Sequence, residues 1–381
     1  MRKIKQSKSI FKLQSKLLSF AQCVNRKTPW LNSVKRILGI QKFATAAIAR
    51  PLSTYEIDEI LSNVKTDHLS RRLSELAQRN ITNPNIFILA VECLGDVIAM
   101  EPIGRYIRKM APHGTIHWIV RNAYAEVLEY APFIDELITV QSLSDGYDIL
   151  QHESNNPNSI TINCHMDGTG CALTKRIIRN QTNPKINFFT YYSLGTLLNA
   201  FSLSAGLPML EEDPVFYLSP NKPFPFSIQT PYIVIHCHSN DKQRDWTDKK
   251  WNELAEYVMT LDHTVIEVGL SRTISTQNLH YIDFTGKQSL QQVAQVIKKA
   301  ELFIGIDSSF AHFAHALHTK AIILLGKYSH YTQYMPYSGK FANSESFSII
   351  RAQKGKHASS ILTSEVLQHV NKAILIHPQK H

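Results

Sequence analysis

The stretch that decides the fold is Phe303-Ile304-Gly305-Ile306-Asp307-Ser308-Ser309-Phe310-Ala311-His312. Its apolar first half predicts a buried strand that stops at Asp307, and Ser308 and Ser309 then begin a helix with apolar residues at helical spacing. A strand that ends in small polar residues at a helix start gathers unpaired N–H groups and the positive end of a helix dipole. This arrangement favours a bound phosphate or diphosphate. The alternative is that Asp307 or Ser308 only caps the helix.

Strands and helices alternate around this stretch. Tyr232–Cys237 and His263–Val268 predict strands, Thr247–Leu261 predicts the helix between them, and Ala321–Gly326 predicts a further strand. Short connections between such elements are typical of a parallel sheet with crossover helices. Ligands of these sheets bind at the carboxyl ends of the strands, where Asp307 lies.

An earlier part of the chain repeats this pattern. Ile86–Cys93 predicts a strand, Leu94–Asp96 a tight turn, and Val97–Met110 a helix, whereas 141–158 reads as a loop and Leu173–Arg179 as a helix. The pattern therefore predicts two α/β domains.

Composition shifts divide the chain into five predicted segments. These are a basic helical extension (1–84), a first α/β domain (85–206), a proline-rich linker (207–231), a second α/β domain (232–345), and a tail (346–381). The last helix of the tail, Ser360–Ile376, is predicted to pack back on the first domain.

The formal net charge of +10 is located almost entirely in the extension. Residues 1–50 hold twelve Lys and Arg and no acidic residue, so the rest of the chain carries 41 − 12 = 29 basic against 31 acidic residues. A nearly neutral body gives no support to nucleic-acid binding. The basic amphipathic pattern at the amino terminus fits an anionic membrane surface, an arm that contacts a partner, or a transit peptide.

Cysteine usage and apolar runs exclude further classes. The five cysteines form no CxxC pair, which favours reduced thiols in a cytoplasm. The run His236-Cys237-His238 fits a metal site less well than an ordinary strand end, so no metal is predicted. The sequence contains no stretch of eighteen consecutive apolar residues, so it predicts no transmembrane helix.

Several short motifs, in order over about residues 85–340, carry a family resemblance. They are Leu94-Gly95-Asp96-Val97 with Ile103-Gly104-Arg105, Pro132-Phe133-Ile134-Asp135-Glu136, Arg244-Asp245-Trp246, Gly286 with Ser289-Leu290, and Asp307-Ser308-Ser309 with His312. Together they resemble glycosyltransferase family 9, the lipopolysaccharide heptosyltransferases. The resemblance implies a GT-B fold, with two Rossmann-like domains facing across a cleft, an acceptor on the first and a nucleotide sugar on the second.

The resemblance also implies roles for individual residues. Asp96 matches the base that removes the proton of the acceptor hydroxyl, although it also suits a helix cap. Arg244 stands where the family has a phosphate-binding Lys, and a guanidinium can bind phosphate through two N–H groups. Ser239 and Asn240 match small donor-site residues. The remaining predicted donor contacts are Asp307, Ser308, Ser309 and His312.

Two positions depart from the family pattern. Ser309 replaces a Gly that allows close approach of a phosphate, and the loop Leu270–Thr273 lacks the acidic residue that the family carries for the donor. Both departures concern the donor, and they leave its nucleotide and sugar open.

The resulting expectation is an inverting transferase without metal or other cofactor. It moves a sugar, heptose from ADP-heptose, onto a bacterial glycan or glycolipid such as lipopolysaccharide core. It is expected in the cytoplasm or on the inner face of the cytoplasmic membrane, held there by residues 1–50. The alternatives are another nucleotide sugar used for capsule or protein glycosylation, and a silent nucleotide-sugar-binding scaffold.

Overall fold

A computed structural model describes residues 51–63, 68–228, 230–286, 288–339 and 347–375. The predicted amphipathic helix in residues 1–50 lies outside the described residues. No helix in the described ranges has the length and apolar character needed to cross a membrane.

The first domain is built on a four-stranded parallel sheet with strand order β3-β2-β1-β4. Its elements up to residue 206 are α1 (Thr54–Asn63), α2 (His68–Gln78), β1 (Asn85–Leu89), α3 (Leu94–Ala99), α4 (Glu101–Met110), β2 (Thr115–Arg121), β3 (Glu136–Val140), α5 (Leu143–Glu153), β4 (Ser159–Asn163), β5 (Thr169–Gly170), β6 (Ile177–Ile178) and α6 (Leu197–Ser204). Short 3₁₀ turns cover Asn122–Val127 and Tyr191–Leu194.

The second domain is built on a six-stranded parallel sheet with strand order β12-β11-β10-β7-β8-β9. Its elements are β7 (Tyr232–His236), α7 (Asp248–Met259), β8 (Thr264–Gly269), β9 (Tyr281–Thr285), α8 (Leu290–Lys299), β10 (Leu302–Ile306), α9 (Ser309–Ala316), β11 (Ala321–Leu325), β12 (Phe347–Arg351) and α10 (Thr363–Leu375). The α/β class and the GT-B arrangement are confirmed.

The opening stretch folds as its pattern predicts. Strand β10 is buried along its whole length and pairs with β7 and β11, and α9 begins directly after Ser308. β10 has an apolar side chain at every position except Gly305, as expected for a strand covered on both faces. Asp307 therefore lies at the carboxyl edge of the sheet.

Three predictions for the first domain were wrong. The helix predicted over 97–110 is interrupted at Met100, because Pro102 has no N–H to continue the hydrogen-bond ladder. The predicted loop 141–158 contains α5, which begins after Ser142, whose hydroxyl accepts a hydrogen bond from the Asp145 N–H. The predicted helix Leu173–Arg179 is instead the β5–β6 hairpin, with Lys175 at a positive φ of 65°.

The predicted boundary at residue 84 was also wrong, because α1 and α2 belong to the first domain. They bury Ile60, Leu69 and Leu76, and α2 packs against α4 of that domain. The N–H of His68 also donates to the carbonyl of Gly206 at 3.0 Å.

The predicted tail needs a similar correction. β12 pairs in parallel with β11, so a domain boundary at 345 would cut off the edge strand. Helix α10 packs on α7 of the second domain, not on the first domain, and its Val366 and Val370 share an apolar cluster with Trp246 and Trp251. The physical reason is the apolar face of α7, which α10 covers.

Candidate active site

A cleft of about 1600 Å³ separates the carboxyl edges of the two sheets. Residues of both domains line it, and α3 of the first domain packs directly against α9 of the second. The contact depends on Gly95, because a Cβ at this position would lie 2.9 Å from Cδ2 of His312 and 3.3 Å from Cα of Ser309. The absence of a side chain brings the start of α3 close to the predicted diphosphate site.

All eight predicted site residues line this cleft, so the fold brings them together. They are Asp96 from the first domain, and Ser239, Asn240, Arg244, Asp307, Ser308, Ser309 and His312 from the second. Their individual roles remain predictions.

Asp96 lies in the first turn of α3, and its Oδ2 accepts a hydrogen bond of 3.2 Å from the N–H of Cys93. Asp96 is thus the third residue of the helix and bonds back to its N-cap, Cys93, whereas the alternative interpretation expected Asp96 itself to be the N-cap of a helix from Val97. Burial nevertheless raises the pKa of Asp96 from 3.8 to about 6, against the lowering effects of the Cys93 N–H and Arg244, while Asp307 and Glu92 raise it further. A carboxyl group with this pKa is ionised at neutral pH and basic enough to accept a proton.

Arg244 is the main cation of the opposite wall. One of its Nη atoms lies 3.3 Å from Oδ2 of Asp307 and the other donates to Oδ1 of Asn240 at 2.5 Å. Its guanidinium also lies over the ring of Tyr328, 5.0 Å from the centroid. The Nε is buried and has no hydrogen-bond partner among the described residues. These contacts hold the planar group in one orientation at the cleft.

Asp307 orients Arg244 and does not cap α9. Its Oδ2 also accepts a hydrogen bond of 2.8 Å from the Tyr334 hydroxyl. Ser308 does not cap the helix with its side chain either, because its hydroxyl pairs with Nδ1 of His236 at 2.9 Å. The first N–H groups of α9 therefore receive no side-chain cap from these two residues. Ser309 and Phe310, which begin the helix, line the cleft.

His312 lies one turn further along α9 and is buried. Burial lowers its pKa to about 4, so the imidazole is neutral at pH 7. Its Nδ1 is buried without a hydrogen-bond partner in the described part of the chain. A neutral imidazole here can still donate or accept a hydrogen bond.

Ser239 differs from the other predicted residues, since its polar groups are used inside its own loop. Its N–H donates to Oδ1 of Asp245 at 2.8 Å, and its hydroxyl lies 2.8 Å from the carbonyl of Asp241. Ser239 thus fixes the loop that carries Asn240 and Arg244.

A group of tyrosines beside Arg244 was missed by the sequence analysis. Tyr328 and Tyr334 contact Arg244 and Asp307, and Tyr192 of the first domain packs on both rings. The sequence did hold a signal, because Tyr recurs at every third position from 328 to 337. A repeat of three matches neither the period of an α-helix nor that of a strand, so it predicts no regular element.

The motif His236-Cys237-His238 shows no metal geometry. His236 pairs with Ser308, and the ring of His238 lies 3.4 Å from Asp245 and 3.5 Å from Asp248. Across the described ranges, no three His, Cys, Asp or Glu side chains are grouped so that they could hold a metal ion.

Comparison with known proteins gives one family match. The model of glycosyltransferase family 9 (heptosyltransferase) matches residues 196–361. The lipopolysaccharide heptosyltransferase 1 of Campylobacter coli is 24% identical over 310 residues, which cover 63% of this chain and 83% of the relative.

Two solved structures show the same fold. The ADP-heptose lps heptosyltransferase II of E. coli superposes with a TM-score of 0.57 at 15% identity, covering 77% of this chain and 99% of that one. The dodecameric iron-containing heptosyltransferase TibC of enterotoxigenic E. coli, in complex with ADP-D-beta-D-heptose, gives a TM-score of 0.53 at 16% identity, with 77% of each chain covered.

Proposed function

We propose that this chain, which matches the model of glycosyltransferase family 9 over residues 196–361, is a glycosyltransferase that transfers heptose from ADP-heptose, with inversion and without a metal ion, to a bacterial surface glycan such as lipopolysaccharide core. The two solved relatives whose names include ADP-heptose support the choice of donor. The observation that carries the proposal is the position of Asp96 across the cleft from Arg244 and the start of α9.

Asp96 serves as the base in this proposal. Its carboxylate takes the proton from an acceptor hydroxyl while that oxygen forms a bond to the anomeric carbon of the donor. The bond from the anomeric carbon to the diphosphate oxygen breaks on the opposite side, and its electron pair leaves with the nucleoside diphosphate. The pKa of about 6 allows Asp96 to be ionised before the reaction and to hold the proton briefly after it.

The second domain stabilises the charge that develops on the leaving group. The Arg244 guanidinium supplies a fixed positive charge, and the N–H groups at the start of α9, which no side chain caps, supply oriented dipoles. Neutral His312 adds a hydrogen-bond donor without competing for the proton of the acceptor. These groups supply the electrostatic stabilisation that a divalent cation gives in other transferases.

Ser309 favours one alternative, in which the fold and chemistry are the same but the donor is another nucleotide sugar. Ser309 begins α9 and lines the cleft, and its side chain occupies space that a Gly would leave to a phosphate. Such a donor would suit capsule or protein glycosylation.

A thermal-stabilisation panel of nucleotide sugars tests the donor on the full chain. ADP-heptose and ADP are expected to raise the melting temperature, whereas UDP-, GDP- and CMP-sugars are not. Transfer in the presence of EDTA tests metal independence. Stabilisation by a different nucleotide, or loss of transfer with EDTA that added metal restores, would reject the corresponding part of the proposal.

The basic residues 1–50 are proposed to hold the enzyme at the inner, anionic face of the cytoplasmic membrane. Twelve positive charges without an acidic residue support this proposal. Deletion of residues 1–50 should weaken binding to vesicles that contain phosphatidylglycerol, and salt should weaken binding of the full chain. Equal binding by both forms would contradict the membrane role.

A further inference from the structure

The carboxylate of Asp307 limits the positive charge that Arg244 can offer to a ligand. The side chains of Asp307 and Arg244 are 7% and 16% exposed, and 3.3 Å separate Oδ2 of the first from Nη1 of the second. Charge-assisted hydrogen bonds of this kind are usually about 2.7–2.9 Å long. The buried carboxylate therefore orients the guanidinium but leaves its N–H groups only partly engaged.

A second donor shares the carboxylate oxygen that faces Arg244. The Tyr334 hydroxyl donates to Oδ2 of Asp307 at 2.8 Å. Burial raises the pKa of Tyr334, and the charge of Asp307 raises it further, so the hydroxyl keeps its proton. If Arg244 turns towards a phosphate, Tyr334 still satisfies this oxygen, and no unpaired charge is left buried.

Tyr334 is held in place at both ends. Its carbonyl accepts a hydrogen bond of 2.8 Å from the side chain of Arg351 on β12, and its ring centroid lies 5.0 Å from that of Tyr192. The residue is 5% exposed and does not line the cleft. Tyr334 therefore does not touch a bound donor, and its hydroxyl acts on one only through Asp307.

Tyr328 supports the guanidinium itself. Its ring centroid lies 5.0 Å from the guanidinium carbon of Arg244, within the range of a cation–π contact. Backbone hydrogen bonds of 3.2 Å and 2.9 Å join Tyr328 and Tyr331 in a tight turn, and the ring centroids of Tyr328 and Tyr334 lie 5.6 Å apart. One short segment, 328–334, thus supplies contacts to both members of the ion pair.

From these contacts we propose that Tyr334 and Tyr328 are positioning residues for the diphosphate of the donor. Tyr334 stabilises Asp307 so that Arg244 can exchange part of the ion pair for phosphate oxygens. Tyr328 keeps the guanidinium at the cleft during this exchange. The inference rests on the proposed function, since it takes a nucleoside diphosphate to bind at Arg244.

Tyr334→Phe tests the proposal on the full-length protein, because it keeps the ring and removes only the hydroxyl. ADP binding measured by calorimetry should become about tenfold weaker. Tyr257→Phe is the matched control, since the Tyr257 hydroxyl donates to Oδ1 of Asn371 at 2.7 Å and Tyr257 does not line the cleft. The control should bind ADP as tightly as the wild type does.

A double-mutant cycle with Arg244→Ala distinguishes positioning from a purely structural role. A residue that acts through Arg244 loses its effect when the guanidinium is absent, so Tyr334→Phe should then change ADP affinity by less than about twofold. A residue that only supports the fold has the same effect in both backgrounds. Equal losses in both backgrounds, or no loss in the wild-type background, would overturn the role of Tyr334.

Tyr328 provides a second arm, which decides the proposal if Tyr334→Phe does not fold. Tyr328→Leu should weaken ADP binding about fivefold, and Tyr328→Phe should retain most of the affinity, because either aromatic ring can lie against a guanidinium. Wild-type affinity in Tyr328→Leu, or an equal loss when Arg244 is already Ala, would overturn its positioning role. If the wild-type protein does not bind ADP at all, the proposed function fails instead.

Discussion

Replacing Asp96 by Asn should abolish turnover and at the same time stabilise the protein at high pH. In the folded chain the pKa of Asp96 rises from 3.8 to about 6, mainly through burial. Ionisation of such a group costs the folded state about 3 kcal/mol relative to the unfolded state. Asp96 is only half-buried, so water in the cleft screens part of this cost, and the expected gain for Asn is about 1–2 kcal/mol at pH 8.

The pH dependence of this gain identifies its cause. Because the folded pKa is raised, the folded state binds the proton more strongly, and the wild-type protein loses stability as pH rises from about 4 through 6. The amide side chain of the variant cannot ionise, so the advantage of the variant is complete above pH 6 and falls by about half at pH 5. The amide oxygen can still accept a hydrogen bond from the Cys93 N–H, so the cap is retained.

Urea unfolding of both proteins at pH 8 and pH 5, together with assays of transfer and of ADP binding, measures these effects. Asp58→Asn, at an exposed position on α1, is the control and should alter neither stability nor transfer. The reasoning is refuted if Asp96→Asn is no more stable than wild type at pH 8, if its gain is equal at both pH values, or if it keeps its activity.

The other predictions concern further groups of the cleft and the packing of α10. In wild type, kcat/KM should fall about tenfold per pH unit below pH 6, as Asp96 becomes protonated, and a flat profile down to pH 5 would exclude it as the base. Arg244→Ala should weaken ADP binding about 10–100-fold in calorimetry, and Arg244→Lys should recover only part of this loss. Unchanged affinity of both variants would place the diphosphate elsewhere. Gly95→Ala should destabilise the protein by about 1–3 kcal/mol and lower kcat, because its Cβ would press on His312; a stable, fully active variant would show that α3 and α9 need not touch. Val370→Ala should cost about 1–3 kcal/mol in urea unfolding, since α10 packs on α7, and a neutral effect would argue against that packing.

The sequence predicted the fold where elements are strongly patterned. β10 and α9 were foreseen closely, because a continuous apolar run followed by helical spacing fits few other structures. The predictions failed where local signals were weak: α5 is rich in polar residues, and β6 is only two residues long. The sequence could not show which domain α10 packs on, because its apolar face fits either domain. Only the tertiary contact with α7 decides this.

The candidate site was predictable to a similar degree. Residues at the strand ends, such as Asp307, could be assigned to one cleft from the order of strands and helices alone. The contacts that hold them could not, since the bonds from Arg244 and Tyr334 to Asp307 join segments 63 and 27 residues away.

The location of α10 has a consequence for how such enzymes can be recombined. Since the last helix stays with the second sheet, the donor half is one uninterrupted segment that follows the linker at 207–231. A single crossover in that linker would exchange the whole donor half between two relatives, with no second junction near the carboxyl terminus. Chimaeras made this way would keep Asp96 with one parent and Arg244 with the other. Acceptor and donor choice could then be inherited separately.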